Sequence, residues 1–502
     1  MRTPLLFASA FAAATALGGP GLTIYNQNFA VVRDVVPLEL KAGVNDVSFH
    51  DSTAHLEPDS VILRDPAGKV SLQILEQNYR NDPVSQELLL SLFEGKTIDF
   101  FIREPNKPDR TVPGKIIRSG YVTHSQQAMQ RYGRQYQASQ MAMAYSPGTG
   151  MPVIEVDGKV QFGLPGQPIF PSLGDDTILK PTLAWKLQAA QAAKLDAELC
   201  YVSGGMSWEA DYNVVAPETS DQLDFVGWVT MDNQSGKTFQ NANIQLMAGD
   251  VSKLNPEAEA RYGGAFAARA SAQNMPPSVT EKSFDEYHLY TLARATTLRD
   301  RETKQVEFIR AAGVKSQRVY VYDGLRVDWN RWGGYRNGGN LRQNEEFGLE
   351  SDTKVAVMRE FKNSAANGPG MPLPQGRVRF YRQDGQQIQF TGENNIDHTP
   401  KDELVKIYTG SAFDLVGERR RKDFKVDHSN HWADESFEIK LRNHKAEPVE
   451  IRVVEHLYRW HNWEIVEKSN PFLKVNAEEI QFRIQVAPDE EKIVTYKVHY
   501  SW

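Results

Sequence analysis

The chain has 502 residues, 40% of them hydrophobic, with 57 Lys and Arg against 64 Asp and Glu for a formal net charge of -7. That length exceeds a single core, since domains hold about 100–200 residues each, and the acidic balance argues against generic nucleic-acid binding, which needs a basic face. One cysteine, Cys200, excludes an internal disulfide and a cysteine-based zinc site.

Met1-Arg2-Thr3-Pro4, the apolar run Leu5 to Ala13 and then Ala14-Thr15-Ala16 follow the charged, apolar and small-residue order of a secretory signal peptide, here residues 1–20. The run is too short to span a bilayer as a mature helix. The mature chain is expected to be exported, periplasmic or secreted, with no transmembrane segment.

From Leu22 to Val122, short apolar stretches are separated by turns at Ala42-Gly43, Asp65-Pro66, Glu94-Gly95 and Pro113-Gly114, the spacing of a small sandwich or barrel. Leu88 to Phe93 allows one helical turn. Residues 124–150 are rich in Gln, Met, Ala and Tyr without a clean period and read as a mobile insertion. An N-terminal β-domain is therefore expected over residues 21–182.

Leu183 to Glu198 is rich in the helix formers Ala, Leu, Lys and Gln. Its surroundings favour strands at Leu183 to Leu187 and Leu195 to Ser203, with a bend at the alanines. Cys200 falls within the second of these, and an inert buried thiol outweighs a nucleophile there because no neighbour signals activation.

After the Gly204-Gly205 turn, Trp208, Ala210, Tyr212 and Val214 alternate with Ser207, Glu209, Asp211 and Asn213, the period-two pattern of a sheet with one wet face. Phe225 to Met231 is nearly continuously apolar, Asn233 to Lys237 reads as a turn, and Ile244, Leu246 and Ala248 resume the alternation. Residues 252–283 read as a loop insertion between strands.

Farther on, Gly376 to Tyr381 and Ile388 to Phe390 flank Asp384-Gly385, a two-residue hairpin signal. The C-terminal stretches around Phe437, Val449, Ile480 and Ile493 alternate with charged or amide residues, as in packed antiparallel sheets. The expected architecture is all-β: the small N-terminal domain, then an antiparallel immunoglobulin-like sandwich region over residues 183–502 with long inserted loops.

YVSGGMSWEADY at Tyr201 to Tyr212, GWVTMDNQSGKTFQNANIQLMAGDV at Gly227 to Val251, ETKQVEF at Glu302 to Phe308, LPQGRVRFY at Leu373 to Tyr381 and HLYRWHNWEIVEKSNP at His456 to Pro471 resemble the bacterial family called domain of unknown function 4139. The resemblance covers roughly residues 180–502. It implies a β fold and an extracytoplasmic address, and it carries no catalytic residues to transfer.

Among polar clusters, Asp397, His398 and Asp402 bring together carboxylates and an imidazole, the groups used in general acid–base work. Thr399-Pro400 within that run is also ordinary turn chemistry. His428 and His431 stand three apart in Asp427-His428-Ser429-Asn430-His431, without a second ligand pair at a recognisable spacing. There is no GxSxG elbow and no Walker-type phosphate loop.

Aromatic residues offer more. Trp329, Trp332 and Tyr335 lie in a Gly-rich segment where exposed rings would stack on sugar faces or on a partner, unless they fold back to anchor the loop. Glu418-Arg419-Arg420-Arg421-Lys422-Asp423 reads as a solvated strand edge guarded by charge, in preference to a phosphate or acidic-glycan contact.

The leading expectation is a non-enzymatic envelope protein that binds a protein or glycan partner, with Trp329, Trp332 and Tyr335 as binding residues and no cofactor or metal. The alternative is a hydrolase acting on envelope polysaccharide or peptide, with Asp397, His398 and Asp402 as its catalytic candidates.

Overall fold

The computed structural model describes residues 19–81, 83–105, 107–121, 151–171, 177–217, 220–249, 251, 253, 279–284, 286–332 and 340–502. The signal peptide expected at 1–20 lies almost wholly outside these residues, as do the insertion near 124–150, most of the loop near 252–283, and Tyr335.

Strands dominate, as the alternation predicts. The helix-prone segment resolves into strands Thr182–Ala189 and Ala193–Gly204. In the first of these Leu183, Trp185 and Leu187 are buried on one face, so burial on a sheet overrides local propensity. One short helix, Gln86–Leu92, begins where the Ser85 hydroxyl accepts the Leu88 N–H at 3.1 Å.

Two compact units divide the chain. The first takes the described residues up to Trp208 together with those in Thr230–Ala267 and Ser278–Gln305; the second takes Glu209–Val229 and Val306–Trp502. A boundary at residue 182 would separate the strand Thr182–Ala189 from its partners Gly43–His50 and Leu72–Arg80, and the division does not fall there.

In the first unit, the largest sheet places Gly21–Tyr25 between Phe29–Leu40, its antiparallel neighbour, and Phe239–Ala248, its parallel one. Leu22 pairs with Ile244 and Ile24 with Leu246, and all four are buried. A smaller sheet from residues 97–169 closes on its own core of Leu90, Ile98, Phe100, Ile116 and Ile154.

The second unit contains a nine-stranded sheet whose core gathers Tyr322, Phe437, Ile451, Phe482, Val494 and Tyr500. Within it the 24-residue strand Leu404–Asp427 runs between Lys354–Lys362 and Trp432–Asn443. Its pairing with Lys354–Lys362 ends at Val416, so the arginine run beyond it pairs with Trp432–Asn443 alone; Arg420 and Lys422 stay exposed as a charged edge would have them, while Arg419 and Arg421 turn inward. Arg419 is 5% exposed and meets there one carboxylate distant in sequence, Glu455.

The expectation of antiparallel sheets needs correction in three places. Besides the pairing of Gly21–Tyr25, Gln317–Asp323 runs parallel to Val449–His456, and Met206–Ala216 runs parallel to Gly376–Asp384. Alternation looks the same in either strand direction, so residue pattern does not distinguish them. The hairpin of Gly376–Asp384 with Gln387–Ile396 forms, but Asp384 belongs to its ladder and the two turn residues are Gly385, at φ +57, and Gln386, one place along from the expected Asp384-Gly385.

Candidate functional site

The aromatic segment begins with the short helix Trp329–Trp332, whose last N–H donates to the Asp328 carbonyl at 2.9 Å. Residues three apart in a helix share a face, yet its two tryptophans meet different surroundings. Trp332 is 6% exposed and packs with Leu341 and Phe347, its ring meeting Phe347 edge-on at 5.6 Å. It anchors the segment and offers no surface to a partner, which corrects its expected binding role.

Trp329 remains 44% exposed. Its ring meets Tyr458 edge-on at 5.7 Å, and Tyr458 stacks on His456 at 4.8 Å and 9°. His456 Nε2 lies 3.1 Å from the Asp323 carboxylate. Burial acts to push the His456 imidazole down, but the hydrogen bond and charge of Asp323 outweigh it and raise the group above its ordinary value. The result is a run of three rings, fixed by a charge-assisted contact at His456 and including the part-exposed Trp329.

What holds the neighbouring loop is Arg459 together with two members of the arginine run, Arg419 and Arg421. Arg459 donates to the Leu341 carbonyl at 2.7 Å, the Asn344 carbonyl at 2.9 Å and the Glu435 carboxylate at 2.6 Å. Arg421 donates to the same Glu435 oxygen at 3.2 Å and to the Glu345 and Phe347 carbonyls. Arg419 reaches both oxygens of Glu455 at 3.0 and 2.9 Å and the Gly348 carbonyl at 2.8 Å. Three guanidiniums, themselves paired with two carboxylates, thus donate to the carbonyls of the loop. Glu435, Glu455 and Arg459 carry no sequence signal for this role, because their spacing in the chain is irregular.

Asp397, His398 and Asp402 sit in a turn organised by Asn363, a fully buried residue that sequence reasoning missed. The Asn363 side chain donates to the Met371 and Pro400 carbonyls at 2.8 and 3.1 Å, and its own carbonyl accepts the Asp402 N–H at 2.7 Å. His398 Nδ1 accepts the Gln375 N–H at 3.1 Å, and the Asp397 carbonyl accepts the Thr399 hydroxyl at 2.8 Å. The side chains of Asp397 and Asp402 are exposed. This is the bonding of a turn, with each candidate tied to a different partner.

His431 follows the same logic. The Asp427 carboxylate accepts the N–H groups of Ser429 and Asn430, both at 2.9 Å, and so closes the turn that His428 and His431 occupy. Among the described residues no group of three or more His, Cys, Asp or Glu is placed to hold a metal ion. Burial, reinforced by Glu198, pushes the Cys200 thiol up, away from the thiolate a nucleophile needs.

No protein-family model, curated protein or solved structure matches the chain.

Proposed function

We propose that this chain is an extracytoplasmic binding protein that holds a protein or glycan partner of the cell envelope without turning it over, with Trp329 at the centre of the contact. The observation that carries this reading is the set of contacting rings Trp329, Tyr458 and His456, whose indole is 44% exposed. An indole face offers a large apolar area at little entropic cost, and it suits both the C–H face of a sugar and an interface anchor. The guanidinium-held loop beside it is ordered before any partner arrives, which lowers the cost of binding.

The test compares retention of the full chain on a glycan array and on envelope extract for the unaltered protein and for Trp329→Ala. Trp329→Ala is expected to lose retention at least about tenfold with its melting temperature unchanged. Equal retention of the two proteins would remove Trp329 from the reading.

A further inference from the structure

Arg342 lies in the short helix Asn340–Gln343, one residue after Leu341, which packs with Trp332. Its guanidinium carbon stands 3.4 Å from the centre of the Trp460 ring and 5.9 Å from that of Trp502. At 3.4 Å the carbon is in van der Waals contact with the indole, so the guanidinium lies flat on it and its N–H groups point sideways past the ring edge.

Neighbouring guanidiniums are already paired. Arg331 meets Glu346 at 2.5 Å, Arg459 and Arg421 meet Glu435, and Arg419 meets Glu455. Arg342 has no carboxylate within ion-pair distance among the described residues, and its side-chain donors meet no acceptor there. The residue is part-buried. Its fork is thus held in a fixed orientation, partly desolvated and without a counter-charge. A partner that closed over it with no negative group would bury that charge unpaired, which is costly. A carboxylate matches the fork with two oxygens at once.

Arg342 shares its supports with Trp329. The Trp329 ring contacts Tyr458 and Arg342 contacts Trp460, two residues on, while Trp332, in the helix of Trp329, packs with Leu341 beside Arg342. An indole suited to a sugar face and a guanidinium suited to a carboxylate therefore stand on the same scaffold. The loop carbonyls of Leu341, Asn344, Phe347 and Gly348 already accept from arginines. Those main-chain groups are closed to an extended peptide, whose recognition relies on backbone hydrogen bonds.

Resting on the reading that Trp329 contacts the partner, we propose that this partner is an acidic glycan built from uronic acids, with a sugar face on Trp329 and a sugar carboxylate on Arg342.

Titration of the full chain with polygalacturonate, with its neutral methyl ester and with polyglutamate tests the proposal. The acid polymer is expected to bind at least about tenfold tighter than the ester, and Arg342→Gln should remove that difference. Trp329→Ala should weaken binding of both sugar polymers, and polyglutamate should bind no better than the ester. Equal binding of acid and ester, a preference that survives in Arg342→Gln, polyglutamate bound as tightly as polygalacturonate, or binding of neither sugar polymer would each overturn the acidic-glycan assignment. None of these results touches the Trp329 reading, which falls only if Trp329→Ala retains the partner as the unaltered protein does. The comparison of acid with ester uses the unaltered protein, so it decides even where a variant fails to fold.

Discussion

Glu455 has no exposed surface, and its two oxygens take Arg419 Nε and the Tyr496 hydroxyl. Removing it leaves a guanidinium buried without its counter-charge, so Glu455→Ala is expected to cost about 3–5 kcal/mol in denaturant unfolding. The double replacement Arg419→Met with Glu455→Leu should recover much of that loss, because it removes both charges and keeps the volume. If the double variant is as unstable as the single one, the carbonyl contacts of Arg419 matter more than its charge pair. A run of three arginines does not reveal this arrangement, because the residues that decide burial, Glu435, Glu455 and Arg459, lie farther along the chain. Asp211 teaches the same lesson: alternation assigned it to a wet face, yet it is 5% exposed and meets Arg377 at 3.2 Å.

The His456–Asp323 contact makes a prediction about pH. With its folded pKa raised above the ordinary 6.5, His456 contributes stability that is fully present below that value and is lost as pH rises through the folded value. Asp323→Asn should therefore lower the urea midpoint more at about pH 6 than at about pH 9. An equal loss at both would show that the contact does not depend on the imidazolium.

At the scale of elements, the strand Leu404–Asp427 is fitted around a ring. Gly417 lies against Tyr322, which is fully buried and donates its hydroxyl to the Asp352 carbonyl at 2.7 Å; a Cβ at Gly417 would collide with the ring carbons. Gly417→Ala is expected to destabilise by about 1–3 kcal/mol, measured by denaturant titration. An unchanged midpoint would mean that the ring has room to move. Strand existence was legible wherever apolar residues fell at every second position, as in Met206–Ala216, and even where alanines imitate a helix, as in Thr182–Ala189. Strand partners were not legible. The pairing of Leu22 with Ile244 joins residues more than two hundred positions apart, and nothing local specifies either the partner or its direction.

The same division between pattern and partner holds for the whole molecule. All-β character follows from composition and alternation spread along the chain, whereas the two units interleave in sequence, with Glu209–Val229 belonging to the second and Thr230–Ala267 to the first. A single boundary drawn along the sequence has no way to express that. In the candidate site, the residue types were visible but not their surroundings. Trp329 and Trp332 sit three apart in one short helix, and only packing on Leu341 and Phe347 separates the anchor from the exposed ring. Asp397, His398 and Asp402 carried the right chemistry for an acid–base site, and the buried Asn363 draws their backbone into a turn.

The most direct test is to incubate the full chain with immobilised envelope material and follow retention of the protein and release of soluble fragments together. Binding without turnover predicts retention that is lost in Trp329→Ala and kept in His398→Ala, with no fragments released by any form. Fragment release by the unaltered protein that stops in His398→Ala would contradict the account and make the chain a hydrolase.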